Sequence, residues 1–275
     1  MPRAALLQMT SGIDPEANAA TIVSAMAEAR AGGAAMLFTP EMSGLLDRKR
    51  DRAGAAIRSE AQDVVLAAVR EAARREGLWV HLGSLAIARE DGKWANRAFV
   101  IDAEGAVRAR YDKLHMFDVD LASGESWRES NAYTAGDAVA TVETPLGRLG
   151  LAICYDVRFP GLFEALGQAR CDVIAIPAAF TVPTGKAHWH LLQRARAVEA
   201  SAYVLSAAQV GVHADGRETY GHSLAVDPWG EVLLDMGGAD DGGRAGVSFV
   251  DIEPARIAEV RAQLPSLANR RIIAK

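Results

Sequence analysis

The chain is poor in cysteine: 275 residues hold only Cys154 and Cys171. Two cysteines cannot build a disulfide framework, and they fit free thiols in a reducing, cytoplasmic setting. No run of 18 apolar residues occurs, so no membrane-spanning helix and no membrane partner are expected. Residues 1–8 lack the long apolar stretch and cleavage site of a secretory leader. Basic residues are not in excess: 30 Lys and Arg face 35 Asp and Glu, and the net charge of −5 argues against a nucleic-acid partner. A Gly-x-x-x-x-Gly-Lys phosphate loop is absent, which removes support for nucleotide binding. Gly-x-Ser-x-Gly is also absent, which argues against a serine α/β-hydrolase. Aromatics make up only 6% of the chain, and the tryptophans (79, 94, 127, 189 and 229) are scattered as packing residues rather than striped.

What is present is an apolar half, enough for an ample core, arranged as alternating strand and helix patterns. Residues 4–9 read as a strand. Asp14-Pro15-Glu16 then opens a helix with Ile22, Val23 and Met26 on its stripe, ended by Gly32-Gly33. A strand over 34–38 stops at Thr39-Pro40-Glu41. A helix over 59–75 and a strand over 78–87 follow. Hairpin signals flank 102–105, 145–147 and 228–230, and strands are expected over 172–176 and 203–209. A helix is expected near 188–200, and a last one opens at Pro254 with Ile257, Val260 and Leu264 on one side. No linker or repeat interrupts the pattern, and 237–243 reads as a Gly-rich loop. The expectation is one α/β domain over 1–275, with mixed sheets covered by helices.

Cys154 lies at the end of the apolar run 149–153 and just before the helical pattern 161–169. A cysteine at such a strand-to-helix corner projects from the carboxyl edge of the sheet, where open α/β sheets hold ligands. A free cysteine in an apolar run is usually a small core residue. Tyr155, Asp156 and Arg158 argue otherwise here, because they crowd polar groups against the sulfur. Two further segments end strands: 38–41, carrying Glu41, and 110–115, carrying Lys113. Taken singly, Glu41 reads as a solvated loop acid and Lys113 as a surface lysine. Beside one cysteine they supply a base, an oxyanion donor and an acid.

Together the three segments resemble the Glu-Lys-Cys signature of the nitrilase superfamily of carbon–nitrogen hydrolases, over nearly the whole chain. The resemblance implies a four-layer αββα sandwich, usually paired into dimers through its helical layers, and no cofactor. It makes Glu41 the general base and acid, Lys113 the oxyanion stabiliser and Cys154 the nucleophile. The Lys113 ammonium is expected to favour the thiolate, and the Tyr155 backbone N–H to complete the oxyanion site. A second glutamate in the family pattern falls on Glu129, supporting Lys113, with Glu125 its competitor. Segments 178–180, 184–197 and 221–230 resemble the amidase branch that holds ω-amidase and deaminated-glutathione amidase, and 207–213 with Tyr220-Gly221-His222-Ser223 tilts towards the latter. Phe180 and Thr184 are expected to line the substrate pocket. Lys186, where those relatives commonly have proline, and the insert 121–126 depart from the pattern.

Arg158, four residues after the nucleophile, is expected to hold a substrate carboxylate, against the plainer reading of a surface salt bridge with Asp156 or Glu164. The expected substrate is therefore a small amide bearing a carboxylate, deaminated glutathione first, then 2-oxoglutaramate, N-carbamoyl acids or a nitrile. A catalytically silent metabolite-binding module is the reading of another class. His188 and His190 have an H-x-H spacing, but they precede an apparent helix and no third ligand is apparent, so no metal is expected.

Overall fold

Asp14 starts the first helix by accepting hydrogen bonds from the N–H groups of Glu16 and Ala17, with Pro15 in the first turn. That helix, α1 (Pro15–Ala31), joins β1 (Arg3–Gln8) to a parallel neighbour, β2 (Met36–Phe38), which a short hairpin turn could not do. The computed structural model describes residues 1–120, 124, 126–239 and 241–271. α2 (Arg50–Ala56) and a 3-10 turn over Glu60–Gln62 precede α3 (Val64–Glu76). The helix expected from residue 59 thus starts later, where Asp63 accepts from the Leu66 N–H. β3 (Trp79–Ala88) pairs parallel with β2, and β4 (Trp94–Ile101) and β5 (Val107–Asp112) follow antiparallel.

β6 (Asp118–Asp120) and β7 (Ser126–Arg128) make a small hairpin outside the main sheets. The second sheet is built by β8 (Thr141–Thr144), β9 (Gly147–Leu151), α4 (Pro160–Gln168), β10 (Val173–Ala175), α5 (Val182–Ala200) and β11 (Tyr203–Ser206). Within it, the neighbouring strands β9, β10 and β11 are parallel. A second hairpin, β12 (Val210–Val212) and β13 (Glu218–Tyr220), leads to β14 (Leu224–Val226) and β15 (Val232–Asp235) at the sheet's edge. β16 (Gly246–Asp251) then returns to the first sheet, antiparallel to β1, and α6 (Pro254–Gln263) follows. The two six-stranded sheets run β16-β1-β2-β3-β4-β5 and β15-β14-β11-β10-β9-β8.

Side-chain alternation along the strands assigns the layers. Ala5, Leu7, Leu37 and Val80 pack against Ile22 and Met26 of α1 and Val65 and Val69 of α3. Their neighbours Ala4, Leu6, Met36 and Phe38 face the other way, into a core shared with Leu149, Leu151, Val173 and Leu205 of the second sheet. Leu162 and Phe163 of α4 and Trp189 of α5 cover that sheet's outer face. The result is the αββα sandwich, a single domain.

Three differences from the sequence reading matter. α5 begins at Val182, with Pro183 in its first turn, so Thr184 sits on a helix. Leu264 lies beyond the end of α6 and is 49% exposed, whereas Ile257 and Val260 are buried as expected. Residues 246–251 carry no strand in the sequence reading; they become one by pairing with β1.

Candidate active site

Each of the three chemical residues leaves the end of a strand and is fixed there by its own local bonds. After β2, the Thr39 hydroxyl accepts from the Gly83 N–H at 2.9 Å, and the Ser43 hydroxyl donates to Thr39 Oγ1 at 3.0 Å. The chain passes so close to β3 that a Cβ on Gly83 would fall 1.9 Å from the Thr39 carbonyl oxygen. Gln209 Nε2 donates to the Glu41 carbonyl at 2.9 Å, tying this segment to the second sheet's side of the sandwich. At the end of β5, Tyr111 Oη donates to Asp156 Oδ2 at 2.7 Å, and just beyond it the His115 N–H donates to Asp156 Oδ1 at 3.0 Å. Asp156 also accepts from the Ile153 N–H at 2.9 Å, so one buried carboxylate clamps the Lys113 segment to the Cys154 turn. Cys154 follows β9 at φ +48°, a left-handed conformation uncommon outside glycine. Its own N–H donates to the Pro177 carbonyl at 2.9 Å. It opens a 3-10 turn, Cys154–Arg158, whose first N–H groups have no acceptor inside the turn.

Glu41, Lys113 and Cys154 meet at the junction of the two sheets, all buried. Lys113 Nζ lies 2.9 Å from Glu41 Oε1 and 2.8 Å from Glu129 Oε2. Asn96 Nδ2 donates to both carboxylates, at 2.9 Å to Glu41 and 3.1 Å to Glu129. The Ala179 N–H donates to Glu41 Oε2 at 3.0 Å, and the Phe117 N–H to Glu129 Oε2 at 2.7 Å. The Cys154 thiol lies beside the Glu41 carboxylate, close enough for each to act on the other's ionisation.

This arrangement sets the charges. Burial opposes ionisation of Glu41, but the Lys113 ammonium and the bonds from Cys154, Lys113 and Asn96 outweigh it and hold the carboxyl below the usual range. Burial likewise opposes a charged Lys113, and the Glu129 and Glu41 carboxylates outweigh it and keep the ammonium. Cys154 goes the other way. Burial first, then the Glu41 carboxylate, push its thiol well up, against the smaller pull of Lys113. Lys113 thus pulls in the direction expected of it, towards the thiolate, but burial and the Glu41 carboxylate outweigh it.

A cavity of about 360 Å³ opens onto this set and is lined by Glu41, Lys113, Cys154 and Glu129, and also by Tyr155, Arg158, Phe180 and Thr184. The residues expected to carry catalysis and bind substrate thus share one pocket, Glu125 aside; Glu125 and most of 121–126 lie outside the described residues. Arg158 pairs with neither Asp156 nor Glu164. Its guanidinium sits 5.4 Å from the Phe180 ring centroid and 5.9 Å from that of Tyr155, with Nη1 3.2 Å from His188 Nδ1. Asn96, Asp156 as a clamp, and Gln209 are functional residues the sequence reading missed. Asn96 is hidden in an ordinary strand pattern, and no local signal points to it.

The H-x-H pair separates, because both residues lie on α5. His188 meets Arg158, while His190 Nε2 lies 2.8 Å from Asp235 Oδ2, and His222 Nδ1 lies 2.9 Å from Asp235 Oδ1. The donor atoms of His190, His222 and Asp235 lie within 4.8 Å of one another, so the fold assembles the third group that spacing did not reveal.

The model of the carbon-nitrogen hydrolase family matches residues 3–262. The deaminated glutathione amidase of Yersinia enterocolitica is 39% identical over 276 residues, covering 98% of this chain and 93% of that protein. Among solved structures, the Caenorhabditis elegans NitFhit protein superposes with a TM-score of 0.88 at 35% identity, over 98% of this chain and 65% of that one. A variant of the amidase from Nesterenkonia sp. AN1 superposes at 0.80 with 26% identity, covering 98% of this chain and 94% of that one. That variant carries covalent addition of the acetamide moiety of fluoroacetamide at its active-site cysteine.

Proposed function

Because the chain belongs to the carbon–nitrogen hydrolase family and is a hydrolase of amides, we propose that Cys154, Glu41 and Lys113 cleave small α-keto acid amides through a thioester, with deaminated glutathione the foremost substrate. The substrate is suggested by the relatives of that name and by an Arg158 guanidinium that lines the cavity with no carboxylate partner among the described residues. The observation that carries the mechanism is Glu41's position, in contact with the Cys154 thiol, the Lys113 ammonium and the Ala179 N–H at once.

Glu41 takes the thiol proton as sulfur attacks the amide carbon. The resulting oxyanion is held by the Lys113 ammonium and the Tyr155 N–H. Glu41 then gives its proton to the leaving nitrogen, the C–N bond breaks, the amine departs, and the acyl group stays on Cys154 as a thioester. A water deprotonated by Glu41 attacks the thioester carbon; the C–S bond breaks, and the sulfur recovers the proton from Glu41. Glu129 keeps Lys113 charged and in place. Arg158 holds the α-keto carboxylate, while Phe180 and Thr184 line the acyl side.

Deaminated glutathione contains a substituted amide, so its products are 2-oxoglutarate and cysteinylglycine, and mass detection of 2-oxoglutarate is the assay. Cys154→Ala is expected to abolish turnover with an unchanged circular dichroism spectrum, and Cys171→Ala to leave it nearly intact. Substantial activity in Cys154→Ala would sink the nucleophile assignment.

We propose a homodimer as the assembled form, paired through the helical layer. Leu191 and Val198 of α5 are exposed, and Trp229, Val232 and Leu233 of the β14–β15 hairpin are exposed too. Val198 packs against Gly230 of that hairpin, which joins the two groups into one apolar face. Two free buried thiols support a reducing, cytoplasmic location.

A further inference from the structure

Two buried donors in the cavity wall have no acceptor among the described residues: Trp127 Nε1 and Arg217 Nε. They are neighbours, for the Arg217 guanidinium carbon lies 4.8 Å from the Trp127 ring centroid. Folded interiors rarely leave such N–H groups unpaired, so an orphaned pair facing a cavity marks a place where a ligand supplies the acceptor. The surroundings say what kind of acceptor. Arg48 adds a second guanidinium 5.5 Å from the same ring and pairs with no carboxylate among the described residues. Asp215 accepts from the backbone N–H groups of Arg48 and Arg217 at 2.8 and 2.9 Å, and reaches the Arg217 guanidinium only at 3.3 Å; the acids of the cavity wall are engaged elsewhere, Asp47 by Arg52 and Glu41 and Glu129 by Lys113. Two guanidinium groups against one carboxylate leave a net positive wall, suited to an anion with planar oxygens.

Position within the cavity follows from the mechanism. Arg158, over Phe180 and Tyr155, belongs to the side of the nucleophile turn. Trp127, against which Arg217 packs, stands two residues before Glu129, whose carboxylate meets the Lys113 ammonium beside Glu41. Glu41 is the group that protonates the departing nitrogen, so this wall borders the leaving amine.

We propose that Arg217 and Trp127, with Arg48 adding charge, form a subsite for a carboxylate carried by the leaving amine. The preferred substrate is then an amide with a carboxylate at each end, whose amine half resembles a free amino acid or a dipeptide. The proposal rests on the acyl-end reading above, and two chemically matched substrates separate it from that reading. One is 2-oxoglutarate joined through its distal carboxyl to the amine of alanylglycine; the other is the same compound ending in a carboxamide. In the wild-type enzyme the carboxylate form is expected to have a KM about 10- to 100-fold lower, with similar kcat. Arg217→Gln and Trp127→Phe are each expected to bring the ratio of the two KM values towards one. Trp127→Phe keeps the ring and removes only the N–H, so it serves even where Arg217→Gln disturbs folding. Turnover of 2-oxoglutaramate without any wild-type preference between the tailed compounds overturns the subsite alone. A preference that survives in both variants overturns it too. No turnover of any α-keto acid amide overturns the acyl-end reading and the subsite together.

Discussion

Glu41 has to be an anion when substrate arrives and an acid a moment later, and its neighbours set that balance. Its carboxyl is held below the ordinary glutamate value of 4.5. A base depressed in this way is ionised at neutral pH and is lost only as pH falls through the lowered value. The acid limb of kcat/KM is therefore expected below pH 4.5, and a limb near 6 would mean that another group is the base. Lys113→Ala removes an oxyanion donor and is expected to lower kcat by about 10²–10³, with a smaller effect on KM. Glu41→Gln keeps the size but removes the base; a normal burst of amine release from it would exclude Glu41 from acylation. For Arg158→Ala the loss should appear in kcat/KM for α-keto acid amides, about 2–5 kcal/mol, and hardly at all for a neutral amide of similar length. Equal losses on both would make Arg158 a structural part of the turn.

Among the elements, the strand ends decide where chemistry can occur, and Gly83 shows how little room they leave. Gly83→Ala would drive a methyl group into the Thr39 carbonyl. It is expected to cost about 1–3 kcal/mol in urea unfolding and, by displacing the Glu41 segment, to depress kcat further than the stability loss explains. Normal kcat in a folded Gly83→Ala protein would show that the segment relaxes freely. The same elements explain what the sequence could tell. Glu41, Lys113 and Cys154 stand out because each follows an apolar run with punctuation after it, a local pattern. α1 and α3 are legible from stripes and terminal glycines. β16 is not, because its partner β1 lies some 240 residues away in the chain. Asn96, Gln209 and the His190–His222–Asp235 group escape for the same reason: their meaning lies in contacts between distant segments.

At the scale of the whole molecule, the site straddles the sandwich. Glu41 and Lys113 come from the first sheet; Cys154 and Ala179 come from the second. No half of the chain contains it, so activity reports on the docking of the two sheets. Loss of activity in urea is expected to coincide with loss of near-ultraviolet circular dichroism, and an inactive but fully packed intermediate would contradict this. The exposed face around Leu191 and Val198 gives a further expectation. Leu191→Glu should shift the protein from dimer to monomer in sedimentation velocity, and a wild-type monomer at micromolar concentration would remove that proposal.

A sulfur that stays protonated until an amide is seated also meets oxidants on unusual terms. Peroxide consumes thiolate, and the low-pKa, exposed cysteines of redox sensors are the ones that become sulfenic acids. Burial first, and then the carboxylate that serves catalysis, push the Cys154 thiol up and away from the thiolate. A cell passing through an oxidative episode should therefore keep this enzyme working while its sensor proteins are switched, and inactivation by peroxide should be slow at neutral pH.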